Sequence, residues 1–92
     1  MTAEEFMRSS FVSVEVNEAF NESRVRLRDR SSLHFCHRVD ERWARAEFEE
    51  GAEAGNCLAE DALARISMFR LNAKHLDVRF KDGSRWEVRF GG

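Results

Sequence analysis

The most reactive group of side chains in this sequence is the run HFCH at residues 34–37. Imidazole and thiolate groups are ligands that zinc prefers in proteins. His34 and Cys36 share one face of an extended chain, but a zinc site would need two further ligands, and only Cys57 and His75 remain. Because no CxxC or HxxxH spacing accompanies the run, we expect neither a metal site nor another bound cofactor.

Nucleophilic catalysis has little more support. Cys36 and His34 are close enough in sequence to meet, but no neighbouring segment offers an oxyanion hole. Ser31 and Ser84 each lie two residues after an aspartate, in predicted turns where both side chains serve backbone hydrogen bonds. The sequence has no glycine-rich phosphate loop and no dinucleotide fingerprint. We therefore predict that the protein is not an enzyme.

Segregated charge is a stronger indication of function. The net charge is −2, yet residues 24–45 carry seven arginines against three acids, and residues 65–90 carry seven bases against three acids. If the two basic segments are neighbours in one sheet, they form one basic surface that would bind an acidic protein or phosphates. The candidate residues of this surface are Arg24, Arg26, Arg28, Arg79, Lys81, Arg85 and Arg89.

Two observations limit this interpretation. Glu15, Glu47 and Glu87 are placed to pair with the arginines across strands, which would make the face an ordinary solvated one. No aromatic residue is interleaved with the arginines, so a protein partner is favoured over nucleic acid. Trp43 adds a candidate hot spot beside Arg45 if its segment is a strand, whereas in a helix Trp43 would belong to the core.

The last two residues suggest a different function. Gly91 and Gly92 follow a predicted strand directly. This arrangement resembles the ubiquitin-like proteins and the small sulfur carriers, in which a helix also precedes two closing strands. The resemblance implies a terminal carboxylate that is activated as an adenylate and then as a thioester or thiocarboxylate. The sequence departs from those families in its additional strands before the helix.

The elements that must position these residues include two hairpins of similar sequence, VRLRDRSSLHFCH at residues 25–37 and VRFKDGSRWEVRF at residues 78–90. Apolar and polar residues alternate on both sides of each turn, and matching faces require a loop of odd length. We predict three-residue loops at 29–31 and 82–84, with positive φ at Gly83 and, at the equivalent place, Arg30. The similarity is interpreted as shared turn chemistry rather than internal duplication, because nothing between the two strings repeats.

The remaining segments predict further strands and helices. Thr2 and Glu5 fit a capping box for a helix over about residues 3–9, and a strand follows with Val12, Val14 and Val16 on one face. Residues 57–71 have the apolar stripe of one long helix, with Asn56 as its N-cap and Asn72 as its C-cap. Residues 41–50 fit a helix or a strand. The strand is favoured, because a loop at 40–41 would pair Leu33, Phe35 and His37 with Phe48, Ala46 and Ala44.

The predicted fold class is α+β: one antiparallel sheet of five to six strands, with the long helix of about residues 57–71 packed on one face, in a single domain over residues 1–92. No apolar run approaches 18 residues, no secretory signal opens the sequence, and two cysteines without such a signal suggest reduced thiols. We therefore expect a cytoplasmic, non-enzymatic module that binds a protein partner through its sheet and does not bind a membrane. Anion or nucleic-acid binding and the Gly-Gly carrier are the alternatives.

Overall fold

The described part of the chain contains two helices and seven strands in the computed structural model. The structure describes residues 1–17, 22–38, 41–47, 57–72 and 75–89, and for residues 37, 38, 41–47 and 72 it describes the backbone only. In chain order the elements are α1 (Ala3–Ser10), β1 (Phe11–Asn17), β2 (Glu22–Leu27), β3 (Ser32–Arg38), β4 (Glu41–Glu47), α2 (Leu58–Arg65), β5 (Ile66–Asn72), β6 (His75–Phe80) and β7 (Arg85–Arg89).

The strands form two antiparallel sheets, with the orders β1-β2-β3-β4 and β5-β6-β7. The predicted α+β class with antiparallel strands is confirmed, but the prediction of one sheet of five to six strands is wrong. Each hairpin pairs with the strand that precedes it along the chain, β1 with β2 and β5 with β6. The two hairpins therefore belong to different sheets.

The predicted helix over residues 57–71 is wrong in its second half. Helix α2 ends at Arg65, and Ile66 is already extended, with φ −78° and ψ 130°. Residues 66–72 form β5 because their backbone pairs with β6, and this pairing outweighs the helix propensity of the segment. Cys57 is the N-cap, with its Sγ accepting from the Glu60 N–H at 3.4 Å. Asn56 lies outside the described residues, and Asn72 ends β5 rather than capping a helix.

Residues 41–47 form a strand, as the favoured interpretation predicted. The predicted register is wrong by two residues, because Phe35 lies opposite Ala44 and Leu33 opposite Ala46. A two-residue loop at 40–41 would make 39 and 42 the first pair of the two strands. The first observed pair is instead Arg38 with Glu41, which is one residue earlier on each strand. Since the shift is even, the alternation of β4 relative to β3 is the predicted one.

Both hairpin loops have the predicted odd length. The Leu27 N–H donates to the Ser31 carbonyl at 2.9 Å and the Phe80 N–H to the Ser84 carbonyl at 3.0 Å. The three-residue loops are therefore 28–30 and 81–83, each one residue earlier than predicted. Positive φ is confirmed at Arg30 (73°) and at Gly83 (88°).

The repetition extends well beyond the hairpins. A first unit, α1-β1-β2-β3, and a second unit, α2-β5-β6-β7, share the same order, and in both the helix leads directly into the next strand. The first strand of each unit carries a register irregularity at its start, between Phe11 and Ser13 in β1 and between Ile66 and Met68 in β5. The repetition in the structure therefore covers the order of the elements as well as the turn chemistry.

The irregularity in β1 also corrects a face assignment. Val12 was predicted to share a face with Val14 and Val16, but it is 59% exposed whereas Val14 packs against the core. An extra residue in one strand of a pair changes which side the following side chains take.

The turn of the second unit caps the helix of the first. The N-terminus of α1 has its own capping box, in which Thr2 Oγ1 accepts from the Glu5 N–H and Glu5 accepts from the Thr2 N–H. In addition, the Ala3 N–H donates to Asp82 Oδ2 at 2.8 Å and the Glu4 N–H to Ser84 Oγ at 3.1 Å. Hydrogen bonds from the Ser84 hydroxyl, the Ala3 N–H and the Ser84 N–H lower the pKa of Asp82 to about 2.

The turn of the first unit caps α2 in the same way. The Leu58 N–H donates to Asp29 Oδ2 at 2.7 Å, and the Ala59 N–H donates to Ser31 Oγ at 3.0 Å. Partial burial raises the pKa of Asp29, but hydrogen bonds from Ser31 and Leu58 outweigh it and the net pKa is lowered. Each unit therefore satisfies the helix N–H groups of the other, which ties the two units together.

The core lies between the two sheets and the helices. Val25, Leu33 and Phe35 contribute from one sheet and Leu76 and Val78 from the other, all with 0% exposure. The Phe35 and Phe69 rings meet edge to face at 5.1 Å between centroids, and Phe11 and Trp86 do so at 5.4 Å. No helix in the described part of the chain has the length and apolar character needed to cross a bilayer.

Candidate partner-binding surface

The solvent side of the three-stranded sheet carries a cluster of charged residues. Core-facing side chains of β5, β6 and β7 alternate with a second set on the opposite side of the sheet, in which Asp77 is buried beside Arg85. We call this second set the β5–β7 outer face. It consists of Met68, Arg70, His75, Asp77, Arg79, Arg85, Glu87 and Arg89.

Two acids lie at the centre of the β5–β7 outer face. Arg85 Nε lies 3.0 Å from Asp77 Oδ1, and Arg85 Nη2 lies 2.6 Å from Glu87 Oε1. Arg79 approaches Asp77 at 4.0 Å, and His75 Nε2 lies 2.8 Å from Glu87 Oε2. The acids therefore orient Arg85, with the Asp77 contact crossing from β6 to β7 and the Glu87 contact lying within β7.

Two arginines on the same face remain outside this network. Arg70 and Arg89 are exposed, and no described residue forms an ion pair or hydrogen bond with either. Four arginines and two acids give the face an excess of two positive charges when His75 is neutral. Met68 adds a large apolar side chain that is 42% exposed.

The outer face of the four-stranded sheet is more evenly charged where its side chains are described. Arg26 Nε pairs with Glu15 Oε1 at 3.1 Å, and Arg24 lies between Glu15 and His34 in the register. The seven predicted residues therefore do not form one surface. Arg24 and Arg26 lie on one sheet, whereas Arg79, Arg85 and Arg89 lie on the other. Arg28 and Lys81 are exposed on the two turns.

His34 and Cys36 meet a carboxylate rather than each other. Glu22 Oε2 lies 3.6 Å from His34 Nε2, and Glu22 Oε1 accepts from Cys36 Sγ at 3.9 Å. Glu22 and His34 also line a shallow depression of about 200 Å³ beside the end of β1. Within the described ranges, no three His, Cys, Asp or Glu side chains are arranged to hold a metal ion.

The other predicted site residues are only partly described. Trp43 lies in β4 with its backbone opposite Cys36. Its side chain is outside the description, so its role as a hot spot stays a prediction. Gly91 and Gly92 lie outside the described residues, and the carrier hypothesis that depends on them also stays a prediction.

Sequence reasoning missed Met68 and Arg70 because it assigned residues 66–71 to a helix. The signal that identifies them is short: Phe69 and Leu71, which are buried, alternate with Met68 and Arg70, which are exposed. Period-two alternation over four residues is too brief to outweigh a helical stripe that continues from α2. Their place on the sheet becomes apparent only from the pairing with β6.

Comparisons of this chain with protein-family models, with curated proteins and with solved structures found no match.

Proposed function

We propose that this protein is a partner-binding module and that its β5–β7 outer face binds an acidic segment of another protein. The observation that carries the proposal is the pair Arg70 and Arg89, two exposed cations that no described acid neutralises. Protein interfaces are enriched in arginine and methionine, and here the exposed Met68 lies on the same face.

The arrangement of the face favours binding of carboxylates. Arg85 is held by Asp77 and Glu87, so its guanidinium has a fixed direction before a partner arrives. Arg70 and Arg89 have no such partner among the described residues and can each pair with an incoming carboxylate in bidentate geometry. The excess positive charge would also increase the association rate at low ionic strength.

A protein partner accounts for the face better than nucleic acid does. Single-stranded nucleic acids bind to aromatic side chains on which bases stack, and the β5–β7 outer face has none.

Two charge-reversed variants test the proposal. In the first, Arg70→Glu is combined with Arg89→Glu. In the matched control, Arg28→Glu is combined with Lys81→Glu, which changes the net charge equally at exposed turn positions that have no described ion pair. Proteins captured from native lysate by the wild type are identified by mass spectrometry, and their affinity is then measured by titration calorimetry.

We expect the face variant to lose at least tenfold in affinity, which is about 1.4 kcal/mol, and the control to stay near the wild type. Equal losses in both variants would show that only net charge matters, which contradicts a defined site. A nucleic-acid ligand would instead give a log–log salt dependence with a slope of about 0.9 per duplex phosphate neutralised.

A further inference from the structure

The two units differ in the strand at the edge of each sheet. In the first sheet, β4 pairs with β3 along seven residues, from Ser32 opposite Glu47 to Arg38 opposite Glu41. In the second sheet, β7 takes the place of β3, and within the described residues it pairs with β6 alone. The edge of β7 that corresponds to the β4 side of β3 is therefore open there.

The open edge presents unpaired backbone groups. The Ser84 carbonyl accepts from the Phe80 N–H, so the polar groups of Ser84 point toward β6. Backbone direction alternates along a strand, so the N–H and C=O groups of Arg85, Glu87 and Arg89 point away from β6. Among the described residues, no backbone hydrogen bond from a turn, loop or cap reaches these N–H and C=O groups.

Apolar side chains next to the open edge are less buried than their counterparts beside β4. Val88 in β7 is half-buried, whereas Phe35, at the same place in β3, is 0% exposed. Val14 in β1 is half-buried, whereas Phe69, at the same place in β5, is 2% exposed. Because β4 lies against both β3 and β5, a strand added at β7 would lie beside β1 and would cover Val14 and Val88.

We propose that the open edge of β7 accepts an extended segment of the partner as an additional antiparallel strand. This inference rests on the proposed function and specifies how the partner binds. Strand addition satisfies edge N–H and C=O groups through main-chain hydrogen bonds, and alternate side chains provide specificity. The added strand takes the place that β4 occupies in the first sheet.

The side chains along β7 specify the sequence that fits. Opposite Arg85, Glu87 and Arg89 the partner needs an acid, a base and an acid, and the two residues between them need to be small and apolar. In β4, the two corresponding register positions are alanines, Ala44 opposite Phe35 and Ala46 opposite Leu33. The partner segment therefore has the pattern acid–small–base–small–acid, which is net acidic.

A second copy of the chain does not fit this edge. Helix α2 lies against both β3 and β4, and α1 lies against β7. Because α1 has the same position in the first unit as α2 has in the second, we expect α1 to cover the strand added beside β7, as α2 covers β4 beside β3. Two copies paired through β7 would bring both α1 helices to the same place. A single extended segment without a helix of its own avoids this conflict.

A short peptide with the sequence Glu-Ala-Arg-Ala-Glu, acetylated and amidated, serves as the probe. The control peptide, Arg-Ala-Glu-Ala-Arg, has small residues at the same positions and reversed charges. Titration into the isotope-labelled full chain is followed by NMR, with amide hydrogen exchange measured at Arg85, Glu87 and Arg89. When the free peptide concentration is ten times its dissociation constant, hydrogen exchange at these three amides should slow by about elevenfold. The control peptide should leave the exchange rate unchanged.

Glu87→Pro tests the backbone part of the inference. The Glu87 N–H points away from β6, so a proline at this position removes a donor from the open edge without removing a hydrogen bond to β6. Peptide binding should be lost while the circular dichroism spectrum is retained. Glu87→Ala keeps the N–H and should still bind, with weaker preference for arginine at the central position.

Glu87→Arg provides a second route that does not depend on tolerance of proline. This variant should reject the original peptide and bind Glu-Ala-Glu-Ala-Glu, in which the central charge is reversed. Absence of any exchange protection at β7 with millimolar peptide would overturn the inference. A dimer of the free chain that Glu87→Pro dissociates would overturn the assignment of a partner segment.

The two proposals can fail separately. If the Arg70→Glu and Arg89→Glu variant loses the captured partner but Glu87→Pro retains it, the outer face binds without strand addition and only the further inference is wrong. If both variants retain the partner, the proposed function is wrong as well.

Discussion

Ser31 is the residue at which the coupling between the two units can be measured most directly. Its side chain is 0% exposed, and its Oγ accepts from the Ala59 N–H at 3.0 Å while its hydroxyl donates to Asp29 Oδ1. Ser31→Ala removes both bonds. Because Ala59 is also 0% exposed, its N–H would be left buried without a partner, and an unsatisfied buried donor costs about 1–3 kcal/mol.

The expected loss in the free energy of unfolding is therefore about 2 kcal/mol. At about 2.1 cal/mol/K per residue, this corresponds to a fall in Tm of roughly 10 °C for a chain of this length. Ser84 is the counterpart of Ser31 in the other turn, with its Oγ accepting from the Glu4 N–H at 3.1 Å. Ser84 and Glu4 are only partly buried, so water replaces the lost bond and Ser84→Ala should cost at most about half as much.

Urea unfolding followed by circular dichroism measures both variants. The denaturant slope should stay constant, so that a change in midpoint reports stability alone. Ser9→Ala, at an exposed position on α1, is the control and should stay within about 0.5 kcal/mol of the wild type. A loss for Ser84→Ala equal to or greater than that for Ser31→Ala would refute the argument from burial.

Three further predictions follow from the same structure. The pKa of Asp82 is about 2 in the folded chain against 3.8 as its ordinary value, so its stabilising contribution is complete above about pH 4 and is lost as the pH falls toward 2. Urea midpoints measured across this range should fall less for Asp82→Asn than for the wild type, and parallel curves would contradict the assignment. Arg30→Gly should raise stability by up to about 1 kcal/mol because φ at Arg30 is 73°, and calorimetry should detect no such gain for Arg28→Gly. Phe35→Ala should cost about 3–5 kcal/mol, since Phe35 is fully buried and its ring joins the two sheets through Phe69, and retention of the wild-type Tm would show that the sheets do not depend on this contact.

Local chemistry was enough to determine several elements from the sequence alone. The N-terminal helix follows from Thr2 and Glu5, which satisfy each other's backbone groups within one turn. The odd loops and the positive φ of Arg30 and Gly83 follow from alternation on both sides of each turn. These features depend on residues a few positions apart, so their hydrogen bonds and steric limits can be read without knowing the rest of the fold.

Contacts between distant segments decided the remainder. Residues 66–71 carry a pattern that fits either structure, and they become β5 only because β6 supplies partners for their backbone. The serines and aspartates of the turns indicate turns, but nothing local indicates that Asp82 binds the helix at Ala3 or that Asp29 binds the helix at Leu58. The division into two sheets, which separates the predicted basic residues and leaves the β7 edge open in the described chain, depends on which strands meet after the chain has folded. Alternation specifies which face of a strand is buried but not which strand lies beside it, because every strand offers the same backbone donors and acceptors.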